Sequence, residues 1–285
     1  MEILQFLILP FIASLILTGI HAYLGVHVVE RGVIFVDLAL AQIAALGATI
    51  AILIGMDPHG SAAYWLSLGF TFLGALIFSF VRSRQKRIPL EAFIGITYAV
   101  ASAAAIIAMS KATGETEHLK DMLVGNILAV SRHDVIKTAV LYGAIGVFHF
   151  IFRRRFLAIS LSHENGQEFG FSVRLWDFLF YASFGFVVTS SVAIAGVLLV
   201  FCYLIVPSVG AILFADQIGT RLAIGWTMGT LVSALGCWFS VVFDTPTGAT
   251  IVCTFGAVLV CMAGAKALLF SIRSTDPKKA DLVAR

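Results

Sequence analysis

A carboxylate and a carboxamide lie inside one long apolar run near the N-terminus, and they are the residues that could bind a cation there. Asp37 and Gln42 both lie within the run 33–54. A carboxylate in a lipid-embedded helix costs roughly 2.5–3.5 kcal/mol on insertion scales, so it normally faces a cavity or a partner. Asp37 is therefore a candidate transport ligand or gate charge, or else a structural acid that pairs with Arg31 or caps a neighbouring helix.

Gln42 is the second polar residue of this run. It offers one neutral carbonyl oxygen, which is a poor ligand for zinc. Polar side chains often join membrane helices through hydrogen bonds worth about 0.6–2 kcal/mol, and this role suits Gln42 better. Its five-residue separation from Asp37 is roughly 140° around an α-helix, so the two residues are poorly placed to share one ion.

The stretch 114–121 supplies a second group of candidate ligands. His118 and Asp121 are three residues apart, and Glu117 adjoins His118. In a helix this spacing could present nitrogen and oxygen ligands to a divalent ion that arrives from outside. The alternative is a solvated acidic loop that docks a binding protein or has no specific role.

Other polar or sulfur-containing residues inside apolar runs have simpler interpretations. Ser190 and Ser191 lie among small residues, so they could line a path or only allow helices to approach closely. His21 and His27 fall on different helix faces, and we expect each to be a satisfied or interfacial histidine. The cysteines lack the spacing of a metal site or a disulfide framework, and we expect packed thiols at Cys202, Cys237, Cys253 and Cys261.

The elements that must position these residues are membrane-spanning helices. Of 285 residues, 60% are hydrophobic and 12% are charged, and the mean hydropathy is +0.99. Such a composition excludes a soluble globular domain and indicates a polytopic membrane protein. No cleavable signal peptide is apparent, so the first run is expected to be retained as a span.

Apolar runs long enough to cross about 30 Å of hydrocarbon predict an all-α protein with about nine spans. Two of them almost merge at Ala195 and Gly196, where a broken or re-entrant helix would reduce the number of separate spans to eight. The runs are 3–24, 33–54, 64–81, 93–109, 135–152, 175–194, 197–214, 223–243 and 248–270.

Basic residues indicate the orientation. They are concentrated in the connection 82–87, at 153–155 and in the tail 273–285. All three can be cytoplasmic if the N-terminus is outside, as nine alternating spans require. The longest cytoplasmic connection, 153–174, suits a surface helix ended by Gly170.

Several short sequence motifs, in the same order along the chain, have counterparts in one protein family. Residues 123–131 read Leu-Val-Gly-Asn-Ile-Leu-Ala-Val-Ser, and residues 244–249 read Asp-Thr-Pro-Thr-Gly-Ala. The first is similar to a Leu-Phe-Gly-Asp-Ile-Leu-x-Val-Ser run, and further matches lie at 25–31, 94–96, 187–200, 204–207, Gly236 and Ser240. Together they resemble the permease subunits of the ABC-3 family, the zinc, manganese and iron importers of bacterial ABC systems.

The resemblance implies a single transmembrane permease domain, 1–272, and a cytoplasmic tail, 273–285. It implies a homodimer in the bacterial cytoplasmic (inner) membrane, with cytoplasmic ABC ATPase subunits and an extracytoplasmic metal-binding protein as partners and no nucleic acid. The divalent metal, zinc or manganese first and iron as a further choice, is the transported substrate, and no permanently bound cofactor is expected. The chain has no Gly-x-x-x-x-Gly-Lys-Ser/Thr phosphate loop, so it is not expected to be an enzyme and ATP hydrolysis falls to the partner.

The resemblance also assigns a cytoplasmic coupling segment at about 156–174. It lies where such permeases place the helix that contacts the ATPase, and it resembles the family's Asp-x-x-x-Ala-x-x-x-Gly. Ser162 replaces the acid and Gly166 replaces the alanine. The candidate coupling residues are Ser162, His163, Glu164, Gly166 and Gly170.

The family's metal-handling pattern, Gly-Asp-x-Leu-x-His-x-x-x-x-Gly, is altered in this chain. Aligned on Gly47, the sequence has Asp37 at the glycine position, Leu38 at the acid position and Gln42 at the histidine position. We therefore expect a transient path here and selectivity in the binding protein. An ABC permease for a non-metal small solute stays open, as does an ion-coupled secondary transporter, which needs acids or histidines buried at mid-membrane.

Overall fold

The structure is a computed structural model that describes residues 2–57, 60–84, 89–110, 127–161 and 171–274. Within these ranges the regular elements are nine α-helices and one short 3-10 helix, Ile127–Ala129. The all-α class expected from the apolar runs is confirmed. The helices are α1 (Glu2–Glu30), α2 (Val36–Leu53), α3 (Ser61–Arg84), α4 (Leu90–Met109), α5 (Arg132–Ile151), α6 (Arg153–Leu161), α7 (Val173–Ile212), α8 (Ile218–Phe243) and α9 (Thr247–Ser274).

Eight of the described helices are long and apolar enough to cross a membrane, and the nine-residue α6 is the other one. They follow the predicted runs, with two differences. The 40-residue α7 covers 175–194 and all but the last two residues of 197–214. Helix α1 continues to Glu30, six residues beyond the predicted end of its run, because the polar residues of its last turns find partners inside the protein.

Helix α7 consists of two arms that reverse direction at Gly196. A straight helix of 40 residues would be roughly 60 Å long. Two adjacent residues, the last of α1 and the one after it, nevertheless contact both the start of α7 and the helix that follows its end. Arg31 pairs with Asp177 near the start of α7, and Glu30 pairs with Arg221 in the first turn of α8. Gly196 has φ 76° and ψ 160°, a conformation that is essentially restricted to glycine. The break expected from the sequence at this position is confirmed.

The two arms are 173–195 and 197–212. At 1.5 Å per residue they are about 34 Å and 24 Å long. The chain therefore enters the bundle along the first arm and returns along the second to the side from which it started. Counted separately, the arms bring the number of passes among the described residues to nine, so that residues 2 and 274 lie on opposite sides of the bundle.

One side of the bundle carries the C-terminal ends of α1, α3 and α5 and the N-terminal ends of α2, α4, α7 and α8. Here Arg174 lies over the ring of Phe80, 5.1 Å from its centroid, and the N–H of Phe35 donates to Glu91 at 3.1 Å. The basic residues 153–155 begin α6 on this side, and we call it the basic end. Under the positive-inside rule the basic end is expected to be cytoplasmic.

The arms of α7 occupy the centre of the bundle. Phe180 and Tyr181 of the first arm and Tyr203 of the second are fully buried. Helix α1 approaches the second arm so closely that a Cβ on Gly25 would lie 1.9 Å from the carbonyl oxygen of Leu204. Small residues permit such approach between membrane helices. Helices α4, α5 and α9 bury only 22%, 28% and 17% of their spans, as lipid-facing helices do.

The first part of the predicted coupling segment, 156–174, has one buried face. Phe156, Ile159 and Ser160 of α6 are buried against α1, α5 and α7, whereas Leu161 is 45% exposed and residues 153–155 are exposed. Helix α6 therefore lies at the surface of the bundle, and the coupling role of 156–174 stays a prediction. Residues 162–170 lie outside the described part of the chain.

Candidate functional site

Asp37 lies in the first turn of α2, at the junction of α2, α4 and the second arm of α7. Two residues earlier, Phe35 stacks on Phe201 of the second arm, with ring centroids 6.1 Å apart, and its N–H donates to Glu91 of α4. Asp37 is only 2% exposed, and its Oδ1 has no hydrogen-bond partner among the described residues. A buried polar atom without a partner costs about 1–3 kcal/mol, more when charged, so this oxygen favours a bound cation or donor.

Two further side chains that could bind a cation, a carboxylate and a thiol, border this junction. Glu91 has one carboxylate oxygen without a hydrogen-bond partner in the described ranges, and Asp37 interacts electrostatically with both Glu91 and the Cys202 thiol. Within the described residues, however, no group of three or more His, Cys, Asp or Glu side chains is arranged to hold a metal. The junction can offer a carboxylate to a passing cation, but it is not a closed coordination site.

Gln42 does not complete a site with Asp37. Helix α2 is continuous from Val36 to Leu53, so the two side chains leave its axis roughly 140° apart. Gln42 is 9% exposed, and Leu38, at the family's acid position, packs against the apolar core. Asp37 and Gln42 therefore lie on different faces of the helix.

Ser190 and Ser191 lie on the first arm of α7, where it packs against α5. Ser190 donates to the carbonyl of Phe186 at 2.8 Å, and Ser191 donates to the carbonyl of Val187 at 2.7 Å. Both hydroxyls also contact the hydroxyl of Tyr142 from α5. The contacts with Tyr142 join α5 to α7. The role of the serines on a transport path stays a prediction.

Two groups of predicted residues lie outside the part of the chain that the structure describes. The first comprises the candidate ligands Glu117, His118 and Asp121, and the second comprises the candidate coupling residues Ser162, His163, Glu164, Gly166 and Gly170. Their roles stay predictions.

A buried ion pair at the basic end was not predicted from the sequence. The Nη1 of Arg31 donates to Asp177 at 2.7 Å, and its Nε donates to the hydroxyl of Ser160 at 2.8 Å. The Arg31 and Asp177 side chains are 0% and 2% exposed. The guanidinium lies 3.9 Å from the centroid of the Phe180 ring. We call Arg31, Asp177, Ser160 and His27 the Arg31 cluster, because the Nδ1 of His27 also bonds to Ser160, at 2.8 Å.

The histidines of α1 are buried and not interfacial. His21 is fully buried, and its Nδ1 bonds to the carbonyl of Leu17 at 2.8 Å. His27 is 1% exposed. Tyr23, between them, contacts His149 of α5, which stacks on Phe156 with ring centroids 4.3 Å apart. One sequence signal could have identified this region: Asp177 is a charge within the apolar run 175–194, and Arg31 closely follows the two histidines His21 and His27.

Comparisons with known proteins agree with this architecture. The chain is 27% identical over 241 residues to the manganese transport system membrane protein MntC of Listeria innocua, covering 85% of this chain and 84% of that protein. It is 24% identical over 248 residues to a probable iron transport system membrane protein of Haemophilus influenzae, covering 87% and 86%.

A solved structure has the same fold. PsaBC from Streptococcus pneumoniae, in complex with a Fab, superimposes with a TM-score of 0.75 at 23% identity, covering 92% of this chain and 94% of that one. A metal-chelate type ABC transporter in an inward-facing conformation superimposes with a TM-score of 0.69 at 18% identity, covering 93% and 89%. The model of the ABC 3 transport family matches residues 3–265. With its bundle of apolar helices and its family match over nearly the whole length, the chain belongs to the ABC 3 transport family.

Proposed function

We propose that this protein is the permease subunit of an ATP-driven importer that carries a divalent transition metal into the cytoplasm, with manganese as the first candidate and iron as the second. The observation that carries the proposal is the family match over residues 3–265, together with relatives named for manganese and iron transport. The apolar helices and the family place the chain in the bacterial inner membrane as a multi-pass protein.

The donor chemistry at Asp37 supports manganese over zinc. Manganese is well suited to carboxylate, carbonyl and water ligands, whereas zinc is usually held by cysteine and histidine. Asp37 presents an oxygen without a hydrogen-bond partner among the described residues. The Nε2 atoms of His21 and His27 lack such a partner as well, but the two rings pack against Tyr142 of α5 and Phe180 of α7. A single carboxylate binds a metal weakly, which suits a path that the ion must also leave.

The proposal divides the work among several subunits. ATP hydrolysis belongs to a cytoplasmic ABC ATPase, and an extracytoplasmic binding protein delivers and selects the metal. Two copies of the permease form the path between them. In this arrangement the permease catalyses no covalent reaction. It opens the path alternately to the outside and to the cytoplasm.

An ion-coupled secondary transporter is the competing function. It requires titratable groups that are accessible at mid-membrane. Among the described residues the buried carboxylates of the spans are Asp37 and Asp177, and both lie toward the basic end of their helices. Asp177 is also neutralised by Arg31. The ATP-driven mechanism is therefore favoured.

The test is metal uptake by the permease reconstituted in proteoliposomes with its ATPase and binding protein. We expect ATP-dependent manganese uptake that excess iron inhibits more strongly than zinc. Asp37→Asn removes the charge at nearly constant volume and should reduce uptake roughly tenfold, equivalent to about 1.4 kcal/mol.

Asp216→Asn is the matched control, since Asp216 is an exposed acid in the connection between α7 and α8. It should leave uptake unchanged. Uptake that needs a proton gradient and not ATP would refute the ABC function, and full uptake by Asp37→Asn would exclude Asp37 from the path.

A further inference from the structure

We propose that Arg31 is a positioning residue for ATP-coupled transport: its guanidinium holds the end of α6 to the start of α7, the two helices between which segment 162–170 lies in the sequence. This inference rests on the proposed function, because it concerns how movement at the basic end reaches the transmembrane helices. The segment itself lies outside the described residues, and the argument depends on its two flanks.

Residues on both flanks of the segment bond to the side chain of Arg31. Ser160 precedes the segment in α6, and Asp177 follows it in α7. Arg31 donates to both, at 2.8 Å and 2.7 Å. A guanidinium is planar and presents its donors in a rigid fork, so it fixes the directions of both partners at once. The relative position of the ends of α6 and α7 is therefore set by the residue that directly follows α1.

Burial strengthens the bonds that Arg31 makes to the two flanks. The Arg31 and Asp177 side chains are almost completely excluded from solvent, and Phe180 covers one face of the guanidinium. Separating a buried pair leaves an uncompensated charge, which is strongly unfavourable. His27, one turn earlier on α1, adds a second bond to Ser160. Helix α1 and the flanks of the segment should consequently move as one body.

The residue before Arg31 extends the connection to the second arm of α7. Glu30 pairs with Arg221 of α8, and the Nε of Arg221 donates to the carbonyl of Ala215 at 2.9 Å, in the turn that follows the second arm. After Arg31, the turn through Gly32 leads directly into α2 and Asp37. A displacement of the segment is thus carried by α1 to α2 and to the second arm of α7, two of the three elements that border the Asp37 junction.

The experiment compares single and double replacements of the buried pair in the reconstituted complex. Arg31→Met or Asp177→Leu alone leaves one buried charge and should lower the melting temperature. The double variant R31M/D177L removes both charges and should regain much of that stability, because apolar residues of similar volume often replace a buried pair without loss. We expect it to hydrolyse ATP while the metal transported per ATP falls roughly tenfold, equivalent to about 1.4 kcal/mol.

Two further variants keep the test decisive. Arg31→Lys retains a charge for Asp177 but has no fork that reaches Ser160 as well, so it should also lower the ratio of transport to hydrolysis, with a smaller change in stability. Arg154→Met, at an exposed arginine of the same end, is the control and should keep the wild-type ratio.

The possible results are distinguishable. A wild-type ratio in R31M/D177L, or in Arg31→Lys if the double variant does not fold, would show that the Arg31 cluster only stabilises the fold and would overturn the inference. A wild-type complex without ATP-driven uptake would instead refute the proposed function, and the inference with it.

Discussion

The close contact between α1 and the second arm of α7 allows a quantitative prediction for Gly25→Ala. The new Cβ would lie 1.9 Å from the carbonyl oxygen of Leu204 and 2.4 Å from the hydroxyl oxygen of Ser208. Since close C···O contacts are about 3.3–3.6 Å, the helices would have to separate by roughly 1.4 Å. The nearer atom belongs to the backbone, so no change of rotamer can relieve the overlap.

The cost follows from the packing that this separation removes. A gap of about 0.5–1 Å already loses a quarter to a half of the dispersion attraction between facing atoms. Overpacking of this kind costs about 1–3 kcal/mol, and a clash with backbone belongs at the upper end. Alanine has a higher helix propensity than glycine, and this difference offsets up to about 1 kcal/mol of the cost. The net loss in the free energy of unfolding should be about 2 kcal/mol.

The assay is the thermal unfolding of the purified permease in detergent. A loss of about 2 kcal/mol should lower the melting temperature by roughly 4–8 °C, by the scaling for folded domains of comparable size. Gly19→Ala on the same helix is the control, because a Cβ there would have no atom within 4 Å. Equal melting temperatures for the two variants would refute the reasoning.

Two more predictions concern α7. Gly196→Ala should cost about 1–3 kcal/mol, because a residue with a Cβ is strained at φ 76°; a melting temperature no lower than that of Gly143→Ala, which has open space on α5, would contradict this. Tyr142→Phe removes the hydroxyl that donates to the carbonyl of Val187 at 3.2 Å, and should cost about 1 kcal/mol in chemical denaturation. Tyr98→Phe, at a 40% exposed position, should be neutral, and equal stability of the two variants would exclude the interhelical bond.

The sequence was sufficient to predict the spans because length and apolarity decide which segments cross a membrane. It also indicated the break at Gly196, since only a glycine interrupts two runs that otherwise merge. The reversal of α7 could not be predicted in the same way. It depends on how the arms pack against α1, and those contacts join residues such as Gly25 and Leu204 that are far apart in the chain.

The candidate site was predictable only in part, for the same reason. The burial of Asp37 followed from its place in an apolar run, but its neighbours Glu91 and Cys202 come from other helices. His27 was expected to be either satisfied or interfacial, and the sequence could not decide between the two because its partner Ser160 is 133 residues away. Local periodicity gives the face of a helix, and it does not give the residues that other helices bring to that face.

The Arg31 cluster has a consequence for the order in which the protein is made. The partners of Arg31, Ser160 and Asp177, follow it by 129 and 146 residues. When α1 enters the bilayer during synthesis, neither partner has yet been translated, and an arginine in that position extends toward the membrane surface to keep its charge hydrated. Helix α1 can therefore settle at its final depth only after α7 has been inserted. Helix α1 is translated before α7, yet it reaches its final position only after α7 has been inserted.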